Sequence, residues 1–275
     1  MSIKRVFLVV LLSTLSACGQ KQVNTLNQYS IGMVSYDRIS DSTQQYGDLE
    51  QYLGTQLESM IEIEPAYNEI RALRQIASNK WDLVFAPPGL AAIAISQHNY
   101  QPIFSLEGND NTRSVIVVKN DSSFDERSDL SGQKIILGQK GSATGYYLPL
   151  YNLYGVNLTE ILYAPTPKNV LQWLAEDRAA AGALSLAQYN LYRRDFPPNT
   201  FKILHLDSHP VPSGAVLLSD RIERNQESVI VAQLKQTPSF VSSSAKFLPE
   251  AEIPDYDYLI KVIARVREIT ETNGE

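Results

Sequence analysis

Residues 141–145 read Gly-Ser-Ala-Thr-Gly, between an apolar run, Lys134–Leu137, and a helix-forming stretch that opens near Thr144. A loop of Gly, Ser and Thr feeding a helix start aims unsatisfied backbone N–H groups and hydroxyls at one point, which suits an oxyanion. The same Ser142 and Thr144 could instead cap the helix, a side-chain oxygen accepting from an N–H two or three residues on. Pro149 falls several positions into that helix, where it removes a backbone donor and should bend it.

Catalytic chemistry finds little to work with. The histidines are His98, His205 and His209, and Cys18 is the single cysteine. His205 and His209 are four apart, but they straddle a strand end and a Pro-rich break, and they lack the Glu of a His-Glu-x-x-His metal motif. In Gly-Ser-Ala-Thr-Gly the Ser is not central, so the loop is no Gly-x-Ser-x-Gly elbow. Glu62 with Glu64 and Asp255 with Asp257 read as solvated faces. The expectation is no enzyme, no metal and no cofactor.

The N-terminus points to the compartment. Lys4 and Arg5 precede the apolar run Val6–Leu12, and Leu15-Ser16-Ala17-Cys18-Gly19 follows. This resembles a bacterial lipobox. It predicts a signal peptide over 1–17, acylation of Cys18 (a palmitate-type modification) and a lipid-anchored tether over 18–27. The apolar run is too short to span a bilayer, whereas several acyl chains anchor a protein stably. The expected location is the cell envelope: the periplasmic face of the inner or outer membrane, or the outer face of a single-membrane cell. Losing Lys4 and Arg5 takes the net charge from −6 to −8. Dense phosphate neutralisation is absent, so nucleic acid is not an expected partner.

Beyond the tether, strand-like and helix-like segments alternate. Strands are expected at Tyr29–Tyr36, Ile61–Tyr67, Asp82–Ala86, Tyr100–Leu106, Ser114–Val118, Lys134–Leu137, Ile161–Ala164, Ala181–Leu184, Phe201–Leu206 and Ala215–Leu218. Helical spacing marks Gln44–Met60, Asn68–Asn79, Leu90–Gln97, Lys168–Asp177, Leu186–Arg194, Arg221–Lys235 and Tyr256–Thr270. Such alternation predicts an α/β class with mostly parallel sheets. The polar run Gly108–Thr112 and the Pro-rich run His209–Ser213 each precede an apolar strand. They suggest a chain that leaves one lobe, builds a second and returns: residues 28–111 plus 214–275 in lobe 1, and 112–213 in lobe 2.

Ser114–Gly155, SVIVVKNDSSFDERSDLSGQKIILGQKGSATGYYLPLYNLYG, resembles the phosphate/phosphite/phosphonate transporter substrate-binding family (PhnD-like). The shared run is a hinge strand, a Ser, an Asp-Leu-x-Gly-x-x strand, Ser-x-Thr-Gly-Tyr, and a Pro in the next helix. Trp81–Pro87 resembles the family's Asp-hydrophobic-Gly-Pro edge, and Asn169–Gly182 its second-lobe helix and Ala-Gly-Ala strand. The resemblance implies a bilobal type II periplasmic-binding-protein fold, two open sheets flanked by helices with two hinge crossings. It implies a small anionic ligand between the lobes, an ABC permease as partner and a monomer. Ser142 and Thr144 align with anion-contacting hydroxyls, Gly145 with close backbone approach, and Tyr36 with a ligand-facing loop residue. Ala143 keeps its N–H but lacks the family's hydroxyl, Thr166 stands where a His is usual, and Ala180 where an acid is usual. Tyr146 and Tyr163 are candidates to line the cleft. An alternative of the same fold is a ligand-sensing lipoprotein that partners a membrane sensor kinase or cyclase.

Overall fold

The structure, a computed structural model, describes residues 27–34, 39–108 and 112–273. Cys18, the signal and nearly all of the tether, and Tyr36 lie outside the described residues. The first sheet holds β1 (Gln28–Val34), β2 (Met60–Ala66), β3 (Leu83–Ala86), β4 (Gln101–Leu106), β10 (Ala215–Leu218) and β11 (Phe247–Leu248), in the order β11-β4-β10-β3-β1-β2. The second holds β5 (Ser114–Lys119), β6 (Lys134–Leu137), β7 (Glu160–Tyr163), β8 (Ala181–Ser185) and β9 (Phe201–Leu206), in the order β7-β6-β8-β5-β9. The chain passes to the second sheet between β4 and β5 and returns between β9 and β10.

The two-sheet α/β architecture is the expected one. Both sheets are mixed, because the strands flanking each passage run against their neighbours. β5 is antiparallel to β8 and β9, and β10 to β3 and β4, whereas β1 is parallel to β2 and β3, and β6 to β7 and β8. Continuous apolar runs in β5 and β10 follow from burial on both faces. In β5, Val115 and Val117 face one core, and Ile116 and Val118 the other. In β10, Val216 and Leu218 face one core, and Ala215 and Leu217 the other.

Helices cover all four faces. Those on the first sheet are α1 (Ile39–Gln56), α2 (Glu69–Ala77), α3 (Pro88–His98), α7 (Arg224–Lys235), α8 (Ser239–Ser244) and α9 (Asp257–Asn273); those on the second are α4 (Leu148–Asn152), α5 (Pro167–Ala175) and α6 (Leu186–Tyr192). α3 starts two residues before the expected Leu90 because Pro88 suits the first helical position. α7 starts three residues later than expected because Arg221 serves elsewhere. Its guanidinium donates to Asp82 Oδ1 at 2.7 Å and to the Lys80 carbonyl at 2.9 Å. Asp82 Oδ2 in turn accepts from Ser30 N at 2.8 Å, tying β1 to β3. The sequence reading missed α8 and β11; the Ser-rich run Ser239–Ser244 carries almost no apolar period. α1 begins at Ile39, five residues before the expected Gln44, in polar turns that show no apolar spacing.

Candidate functional site

Pro149 explains how the 141–147 loop is held. It sits at the second position of α4, directly after a wide π-type turn over Ala143–Tyr147. With no N–H, it leaves the Gly145 carbonyl without its α-helical donor, and the π-type bond from Leu148 N to the Ala143 carbonyl leaves the Thr144 carbonyl without one as well. Each finds a replacement from the second sheet. Ser114 Oγ on β5 donates to the Thr144 carbonyl at 2.6 Å, and Gly138 N just past β6 donates to the Gly145 carbonyl at 2.8 Å. The helix-breaking residue thereby pins the loop to the strand ends.

Ser142 is the cap: its Oγ accepts from Gly145 N at 3.0 Å. Its carbonyl accepts from both Tyr146 N at 3.2 Å and Tyr147 N at 3.1 Å, which opens the wide turn. Ser142 and Gly145 also line a small cavity, together with Glu69, Gln139, Thr166 and Gln188. Thr166 caps α5, accepting from Asn169 N at 3.3 Å and donating to Asn169 Oδ1 at 2.7 Å. Gln188 closes a capping box with Ser185 at the start of α6. Four helical starts thus converge here, of α2, the Ser142 turn, α5 and α6, and their N-terminal partial charges favour an anion. Ala143, Thr144 and Tyr146 are buried beside the cavity rather than on its wall. Tyr146 packs edge-on to Tyr147 at 4.9 Å and lies 6.0 Å from Tyr163, which is half-exposed. Burial pushes the Tyr147 phenol well above its usual range, so it stays protonated.

The cavity has about 10 Å³ open to the centre of a water molecule, room for about one water. Glycines make the approach this close. A Cβ at Gly89, near the start of α3, would fall 2.1 Å from the Gly141 carbonyl oxygen and 2.6 Å from Ala143 N. Gly141 has φ +115°, and a Cβ there would lie 2.7 Å from Glu69 Cβ. Around this contact Ala143, Tyr146, Tyr147 and Leu148 share one core with Leu90 and Ala91 of α3 and Val262 and Val266 of α9.

Three lining residues escaped the sequence reading. Glu69 is 5% exposed at the first position of α2. The Gln139 Oε1 atom is buried without a hydrogen-bond partner among the described residues. Gln188 completes the set. The one available signal was positional: crevices in open α/β sheets lie beyond strand C-termini, and Glu69 and Gln139 follow β2 and β6 by three and two residues. Among the described residues no three His, Cys, Asp or Glu side chains come together as a metal site, and no helix is long and apolar enough to cross a membrane.

A family model described as "ABC transporter, phosphonate, periplasmic substrate-binding protein" matches residues 31–238. The chain belongs to this family. It is therefore a periplasmic substrate-binding protein of the ABC-transporter type, a transport component of the cell envelope that works with a membrane permease, and not an enzyme. No curated protein sequence matches it. Its fold is that of several solved binding proteins. XAC2383 from Xanthomonas citri, bound to ATP, superposes with TM-score 0.73 at 20% identity, over 88% of this chain and 98% of that one. PhnD1 from Prochlorococcus marinus (MIT 9301), in complex with methylphosphonate, gives 0.62 at 18%, over 90% and 98%. The alkanesulfonate-binding protein SsuA from Xanthomonas axonopodis pv. citri, bound to MOPS, gives 0.56 at 18%, over 89% and 92%. In this binding protein the Ser142 turn and the α5 cap belong to the second sheet, and Glu69 and Gly89 to helices of the first.

Proposed function

We propose that this binding protein takes a small oxyanion of the phosphonate, phosphite or phosphate class at the Ser142 turn and delivers it to its permease. The observation that carries this reading is the cavity where four helical starts meet, with Ser142, Gly145 and Thr166 on its wall. The Ser142 hydroxyl and the N–H groups of Ala143 and Thr144 supply the donors, since Gly145 N is given to Ser142 Oγ and the Thr166 hydroxyl to Asn169 Oδ1. Ala143, Thr144 and Tyr146 complete the site when the halves part to admit ligand, and the family resemblance adds Tyr36, which lies outside the described residues. Residues 28–111 with 214–275 form one moving lobe and 112–213 the other. Ligand closes them through its higher affinity for the closed state. The chain acts as a monomer held at the membrane by lipid on Cys18. Calorimetry with phosphate, phosphite, methylphosphonate, methanesulfonate and ATP tests the ligand. A saturable oxyanion heat that Ser142→Ala weakens supports the reading; no heat from any of the five overturns it. Incorporation of labelled palmitate, lost in Cys18→Ser, tests the anchor.

A second reading has its own support. The cavity is one water wide and carries the Glu69 carboxylate, which opposes an anion, and Ala143, Thr166 and Ala180 lack family polar groups. These features fit a lipoprotein whose closed form reports to a membrane sensor kinase or cyclase. Crosslinking in membranes separates the two: a permease adduct favours delivery, a sensor adduct favours reporting.

A further inference from the structure

On another face of the molecule, α4 and the turn after it lie against α9. Two grooves run along this contact and share Tyr154 and Ile269 in their walls. The first has a volume of about 640 Å³ and gathers Arg127, Lys261 and Arg265 with Tyr151, Tyr154 and Tyr258. None of its lining residues is a carboxylate, in a chain whose net charge is −6. Lys261 has no acidic partner among the described residues. Arg127 spends one donor on the Asn152 carbonyl at 2.7 Å, and Arg265 is shared with Glu268 at 2.9 Å. The second groove, of about 370 Å³, presents the half-buried aliphatic side chains of Leu150, Val156, Leu158, Ile161 and Ile269, interspersed with Asn157 and Thr270.

A cationic groove that continues into an aliphatic one matches one chemistry. We propose that the α4–α9 seam is a binding site for a single-chain anionic amphiphile. Its phosphate or carboxylate head lies at Lys261, Arg127 and Arg265, and its hydrocarbon chain lies along Leu158, Ile161 and Ile269. The guanidinium and ammonium groups supply charge-assisted hydrogen bonds to the head. The aliphatic wall removes the chain from water. Tyr154, at the junction, offers a ring to the chain and a hydroxyl to the head. The site is separate from the cavity at Ser142 and does not depend on what that cavity binds.

The test uses the purified full chain and calorimetry with dodecyl phosphate below its micellar concentration. Dodecyl maltoside supplies the chain without the charge, and inorganic phosphate supplies the charge without the chain. The expected result is saturable binding of dodecyl phosphate, weakened at least about tenfold by Lys261→Glu and by Leu158→Asp. Ser142→Ala should leave it unchanged. Lys261 is exposed, so its reversal keeps the fold, and an unaltered melting temperature verifies this. Equal binding of dodecyl maltoside, displacement of dodecyl phosphate by inorganic phosphate, or indifference to Lys261→Glu overturns the proposal. A fluorescent lysophospholipid offered in phosphatidylcholine vesicles identifies the source. Lysine-dependent extraction into solution marks a membrane lipid; binding of free dodecyl phosphate without extraction marks a soluble amphiphile.

Discussion

The cavity at Ser142 and the α4–α9 groove are built from adjoining parts of one segment, 138–158, and are opposites. The cavity is about one water wide and its walls carry a carboxylate and a buried amide acceptor, Glu69 and Gln139. The groove is wide and its charges are cations. Backbone supplies the donors in the first, as N–H groups at helical starts, whereas long side chains supply them in the second. Main-chain donors are held by the fold and select by shape and size. Side-chain cations on an exposed helix adapt and select by charge. A narrow cavity thus suits discrimination between small oxyanions, and a wide groove suits a longer, less specified molecule.

The most severe way to break the contrast is Gly89→Val. Its side chain would be forced into the Gly141 carbonyl, so the two halves must separate or strain. A loss of about 3 kcal/mol in stability, or a larger radius in small-angle scattering, is expected; a variant unchanged in both removes the idea of a close-packed cavity. Next comes Ser142→Ala, which should cost about 1 kcal/mol as a lost cap while weakening oxyanion binding and sparing the groove. If the oxyanion heat survives intact, Ser142 is a cap and nothing more. Thr166→Ala, at the α5 start, should act in the same direction with a smaller loss of stability, because its backbone N–H groups remain in place; urea melts and calorimetry measure both effects.

The smallest effect is a pH response near the groove. His205 is held below its usual pKa of 6.5, first by burial and then by the Arg127 charge. Its Nε2 is buried without a partner among the described residues. Above pH 6.5 the ring is neutral folded or unfolded, and stability is at its plateau. As pH falls below 6.5 the unfolded chain takes up the proton first, so stability declines until the folded-state pKa is reached. His205→Gln should flatten melting temperature between pH 7 and pH 5. An identical slope in the variant would assign the response to other groups, such as His98, which burial and Arg267 also hold low.

Much of this was legible beforehand, for identifiable reasons. Alternating apolar segments mark strands and helices because burial period follows backbone geometry, and β5 and β10 read clearly since both their faces are buried. The Gly-Ser-Ala-Thr-Gly loop was readable as a helix start, and Ser142 is one. Its two uses could not be separated locally, because capping and ligand contact ask the same oxygen to face the same way. Thr144 shows the limit: it is as suitable as Ser142 by type, yet the wide turn leaves it beside the cavity wall.

By itself the sequence determined the α/β class, the helical start at Ser142 and the Pro149 interruption, all set by neighbours within a few residues. Tertiary structure alone decided that Ser114 would satisfy the Thr144 carbonyl. It alone brought Glu69 and Gly89 to the loop at Gly141. It also laid Lys261 and Arg265 of the last helix beside Arg127 and Tyr154. These partners lie tens to more than a hundred residues apart, and only the packing of two sheets and one bridging helix makes them neighbours.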